Sequence, residues 1–115
     1  MQQTDLQRVK HIRDYCIQIQ NAVSRFGDSL EAFLSDKDYQ RSVSFCIFQI
    51  GELSGKLSPE FRCATAGKVQ WAPMKGMRNL VVHNYGEVDM EIIWETAAID
   101  IPALRKFCEE QLSEQ

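Results

Sequence analysis

The chain has little of what most metal, redox or membrane proteins are built from. Its four cysteines, Cys16, Cys46, Cys63 and Cys108, stand far apart and form no Cys-x-x-Cys pair. That spacing fits reduced, partly buried thiols of a cytoplasmic protein better than a disulfide frame or a zinc site. No apolar run approaches the roughly 20 residues needed to span a bilayer. The first sixteen residues, MQQTDLQRVKHIRDYC, contain no continuous apolar core and no small-residue cleavage site, which argues against a signal peptide. No stretch alternates at period two, so no sheet is expected. Histidine occurs twice only, and no His pair with a carboxylate is spaced to hold zinc. Gly51 and Gly55 in GELSGKLS have three residues between them, where a phosphate-binding loop has four. They also fall inside a helical pattern, where glycine permits close helix packing.

What remains is a helical pattern almost throughout, of a length suited to one domain over residues 1–115. Leu6, Val9, Ile12, Cys16, Ile19, Val23 and Phe26 recur at steps of three and four, predicting a long helix that ends near Gly27. A short turn-rich piece follows. Asp36 then suits the cap of a second long helix striped by Tyr39, Val43, Cys46, Ile50, Leu53 and Leu57. Phe45, Ile47 and Phe48 place further apolar surface off that stripe, which suggests burial on a second side by another subunit. Ser58-Pro59-Glu60 reads as the start of a short helix, with Gly67 closing it. Pro73 fits the first turn of a further helix running to about Tyr85 and stopping at Gly86. Asp89 can cap a last helix, which Pro102 should kink or split. Long helices joined by short connections imply an all-α, up-and-down bundle.

Charge is uneven along this chain. Its formal net charge is −3, but residues 53–86 carry +4 and residues 87–115 carry −6. This argues against a long electrostatic track on nucleic acid and for a local anion site, unless the charges are merely scattered over the surface. The basic section contains the stretch Met77-Arg78-Asn79-Leu80-Val81-Val82-His83-Asn84-Tyr85. On a helical wheel Met74, Met77, Leu80 and Val81 share one arc, while Lys75, Arg78, Asn79 and His83 spread over the other. Arg78 and His83 are separated by about 140° at about 100° per residue, so one helix cannot aim both at one atom. Two copies facing across a twofold axis can. Metal-free RNA cleavage needs an acid and a base, a task imidazole can perform near neutral pH. It also needs a cation to hold the phosphate, as a guanidinium does. His11, on the first helix, lacks such neighbours and reads as a surface residue.

Arg78-x4-His83-x-Tyr85 resembles the RX4HXY motif of the HepT-like HEPN ribonuclease toxins. The likeness covers roughly residues 5–110, through FLSDKDYQRSVSFCIFQIGELSGKLSPEF, the Trp71 region and GMRNLVVHNYGEVDMEIIWETAAIDIPALR. In one departure, Gln70 precedes Trp71 where members commonly have proline, and proline appears at 73 instead. The resemblance implies an all-α homodimer with a composite active site and metal-independent endoribonuclease activity, with no cofactor. Arg78 and His83 would be catalytic with Asn79 in support, and Lys75 and Arg78 would bind RNA phosphate. It further implies a minimal nucleotidyltransferase (MntA-like) antitoxin that silences the toxin by AMPylation of Tyr85. The alternative is a non-catalytic HEPN subunit that binds a nucleotide or substrate for such a nucleotidyltransferase.

Overall fold

A computed structural model describes residues 1–74 and 89–115 of the chain, and among these every regular element is helical. Helix α1 spans Gln3–Phe26 and buries Val9, Ile12, Cys16 and Ile19 completely, the stripe its spacing foretells. Gly27 ends it with φ 123°, and its N–H returns to the Val23 carbonyl at 3.0 Å. A Cβ at this position would come within 3.0 Å of the Ala32 Cβ. Glycine is therefore required here both by its backbone angle and by the space available.

The stretch read as turn-rich contains a two-turn helix instead. Helix α2, Leu30–Ser35, is capped by Ser29 Oγ, which accepts the Ala32 N–H at 3.1 Å. It exists because Phe33 is driven fully into the core, between Tyr39 and Trp94. Its last carbonyls have no helical partner, and the buried Gln40 amide donates to two of them, Phe33 O and Leu34 O, both at 3.0 Å. Helix α3, Lys37–Lys56, begins where expected. Asp36 Oδ1 accepts the Asp38 and Tyr39 N–H groups at 2.9 and 3.2 Å. Asp36→Ala is expected to cost about 1 kcal/mol of stability, measured by urea unfolding, as loss of a side-chain cap generally does.

Tyr39 fills the end of the bundle. Its ring stacks on Phe26 at 5.0 Å and meets Phe33 and Trp94 edge-on, while its hydroxyl donates to Gly27 O at 3.0 Å. Burial, with the nearby Asp28 carboxylate second, raises this phenol to about 12. Thus the start of α3 lies against the end of α1. At the opposite end Arg8 of α1 donates to Lys56 O, the last residue of α3. The two helices are therefore antiparallel.

Helix α4 covers Pro59–Ala64, with Ser58 as its cap and proline in its first turn. Thr65, not Gly67, closes it, and Gly67 sits in the turn that follows. Residues 71–74 are helical again, which places Pro73 in a first turn, as expected. Helix α5, Met90–Glu95, is capped by Asp89, whose carboxylate accepts the Glu91 N–H at 2.9 Å. Pro102 does split the last helix. Thr96–Asp100 forms a π turn in which the Ile101 N–H reaches back five residues to Thr96 O, and α6 runs from Ile101 to Ser113. The wider turn relieves the clash between the proline ring and the carbonyl four residues before it. Arg105 near the start of α6 donates to Gln20 late in α1 at 2.6 Å, and Gln111 near the end of α6 lines one cavity with Gln2 and Asp5, so α6 is also antiparallel to α1.

The outcome for the off-stripe residues of α3 is mixed. Ile47 is 2% exposed within this one chain, so it is not spare surface, because α1, α2 and α5 all pack against α3. Phe48 is half-buried, and Phe45 is 54% exposed with Tyr15 edge-on at 6.3 Å.

Candidate functional site

Lys75, Arg78, Asn79, His83 and Tyr85 all lie outside the described residues, as does the helix expected to carry them to Gly86. The structure instead defines the chain on either side of that segment. On its N-terminal side a frame begins with α4, which is clamped at both ends.

At the start of α4, Asp5 of α1 is 1% exposed, and its carboxylate accepts both the Ser58 N–H at 2.9 Å and the Ser58 hydroxyl at 2.6 Å. Ser58 Oγ in turn accepts the Phe61 N–H at 3.2 Å. A buried carboxylate is tolerated because its partners are close and directional. At the far end, Thr65 is 7% exposed and engages every polar group it has. Its N–H donates to Phe61 O at 3.1 Å, and its carbonyl accepts from Lys68 and Val69 at 2.9 and 3.1 Å. Its hydroxyl donates to Phe61 O at 2.7 Å and accepts the Trp71 indole N–H at 3.0 Å.

Trp71 is the last fully anchored residue before the motif. It is 7% exposed, with Phe61 of α4 at 6.3 Å and Phe107 of α6 at 5.8 Å and a 71° interplanar angle. Next to it, Lys68, Val69, Gln70, Pro73 and Met74 face Asp100, Ala103 and Leu104 across a groove of about 450 Å³. Lys56 and Lys68 of the basic section are exposed, and Arg62 is half-buried. On the C-terminal side of the motif, the Asp89 cap and the fully buried Ile93 fix the chain again.

Neither anchor, Asp5 nor Thr65, was expected from the sequence. A signal was present for Asp5: it lies four residues before Val9, on the extension of the apolar stripe, where a carboxylate must be buried and paired. His11 is exposed on α1, in line with its reading as a surface residue. Among the described residues no three His, Cys, Asp or Glu side chains gather as metal ligands, and no helix is long and apolar enough to cross a membrane.

All four cysteines are free, with Cys16, Cys46 and Cys108 buried and Cys63 exposed. Burial pushes the Cys46 thiol up to about 11 and Cys108 to about 12, and raises Cys16 further still. These thiols ionise in the unfolded chain near 9.0 but not in the folded one, so their contribution is complete below that pH. As pH rises through the folded values it is lost. The expected result is a Tm that falls as pH rises above about 9, together with labelling of Cys63 alone by a thiol reagent in the folded state.

The sequence matches the family of HepT-like ribonucleases over residues 6–111. It is 37% identical to a protein of Caldanaerobacter subterraneus subsp. tengcongensis named provisionally as an RNase, over 77% of this chain and 79% of that one. It is 31% identical to a protein of Thermococcus cleftensis named provisionally as ribonuclease HepT, over 81% and 88% of the two chains. A provisionally named RNase of Methanocaldococcus jannaschii is 32% identical over 66% and 65%. No solved structure gives a significant match. With the match running from the first turns of α1 to the end of α6, this helical chain belongs to the HepT-like ribonuclease family.

Proposed function

We propose that the chain is a metal-independent endoribonuclease, the toxin of a toxin–antitoxin pair, acting as a homodimer with a composite cleft. The observation that carries this reading is the complete Arg78-x4-His83-x-Tyr85 pattern within a chain of the HepT-like ribonuclease family. His83 exchanges a proton with the reacting hydroxyls of RNA. Arg78, with Lys75, holds the phosphate and offsets charge building on its oxygens, and Asn79 orients the substrate. The exposed Phe45, beside Tyr15, supports the pairing of two copies, since large apolar side chains left in water mark contact surfaces. The partner enzyme is a minimal nucleotidyltransferase that places AMP on the Tyr85 hydroxyl. A single domain over residues 1–115 is part of the same reading.

The test is incubation of the purified chain with a single-stranded RNA in EDTA, with the mass of the protein followed by sedimentation at micromolar concentration. Cleavage that persists in EDTA, from a dimer, is the expected result. Cleavage that stops in EDTA and returns with magnesium overturns the mechanism, and a monomer in solution removes the composite cleft.

A further inference from the structure

The polar network around α4 is more elaborate than a two-turn helix needs for its own stability. One residue, Thr65, joins the end of α4, the following turn and the indole of Trp71. The other end of α4 is tied to α1 through Asp5 and Ser58. Trp71 is also held against Phe107 of α6, which packs along α1. The frame therefore reaches from α1 and α6 to residue 71, four residues before Lys75 and seven before Arg78 in sequence.

Shape alone does not require the hydrogen bond in this frame. An aromatic ring at position 71 could fill the space between Phe61 and Phe107 without an N–H, and a valine at 65 would match threonine in volume. The indole N–H adds direction. It fixes the rotation of Trp71 about its own bonds, and hence the azimuth at which the helical residues 71–74 leave α4. Displacement of a reacting group by about 1 Å costs on the order of 10²-fold in rate.

We propose that Thr65 and Trp71 are positioning residues for RNA cleavage: the Trp71 Nε1–Thr65 Oγ1 hydrogen bond sets the course of residues 71–74, from which the chain continues to Arg78 and His83, without touching RNA. This rests on the proposed ribonuclease reading and assigns the network a role in it. Trp71→Phe keeps an aromatic ring and removes the donor. Thr65→Val removes the acceptor at constant volume, and Thr65→Ser restores it.

The experiment measures kcat and KM for RNA together with amide hydrogen exchange across residues 75–88 in wild type, the three variants and the Thr65→Val/Trp71→Phe pair. The expected result is a kcat lower by about ten- to a hundredfold in Trp71→Phe and Thr65→Val, with KM within about twofold. Thr65→Ser recovers most of kcat, the pair loses no more than either single variant, and exchange in 75–88 is faster wherever the bond is missing. If Thr65→Val does not fold, Trp71→Phe decides alone. Folded variants with kcat and exchange both unchanged overturn the proposal, as does an additive loss in the pair. Wild type that cleaves no RNA overturns the ribonuclease reading instead, and the exchange measurements then still decide whether the bond orders the segment.

Discussion

His83→Ala is expected to slow RNA cleavage by about 10²- to 10⁴-fold, the range seen when a general acid or base is removed. Arg78→Ala is expected to cost about 10²- to 10³-fold, as loss of a group that stabilises charge in the transition state does. Asn79→Ala should cost less, because an orienting amide does not itself transfer a proton. Single-turnover rates on a defined RNA, with far-UV dichroism and Tm to confirm the fold, provide the measurement. Each variant replaces a polar side chain of the sequence and leaves the core residues Val9, Ile12, Ile50, Ile101 and Leu104 unchanged, so the variants should fold. Full activity in His83→Ala would exclude the His83 imidazole from the reaction.

The second large effect concerns Tyr85. Each AMP attached there would bring a phosphate to the basic section of the chain, near Lys75 and Arg78 in sequence, and its bulk would occupy the same cleft. Modified protein is expected to lose RNA cleavage almost completely. Tyr85→Phe keeps the ring and lacks the acceptor oxygen, so it should remain unmodified when co-expressed with the nucleotidyltransferase. Intact mass after co-expression shows which occurs. A mass increase in AMP units that persists in Tyr85→Phe would place the modification on another residue.

Helix ends were the most legible part of the fold, because each is a local reaction between a side chain and a few backbone groups. Gly27, Asp36, Ser58 and Asp89 all stand where their chemistry puts them, and the π turn before Pro102 follows from a missing N–H. What sequence spacing could not supply was the number of neighbours around a helix. Ile47 lies off the main stripe of α3 and is buried all the same, since three other helices cover that rod. Helix α2 was hidden for a related reason. Six residues show too little period to register, and Phe33 holds them by burial rather than by repetition. Gly67 looked like a stop signal, whereas the hydroxyl and backbone of Thr65 supply the ending. The candidate site was legible as a pattern of residue types, and its mounting was not. The Asp5–Ser58 bond joins positions 53 residues apart, a separation no periodic reading spans.

In the proposed reaction a 2′-hydroxyl of the RNA, activated by His83, attacks the phosphate that Arg78 holds. The termini of the products report this step directly, because a 2′-oxygen nucleophile leaves its phosphate on the 3′ side. Mass spectrometry of an RNA oligonucleotide cleaved by the purified chain in EDTA should find 2′,3′-cyclic or 3′-phosphate ends opposite 5′-hydroxyl ends, with both formed far more slowly by His83→Ala. Products bearing 5′-phosphate and 3′-hydroxyl ends would contradict it.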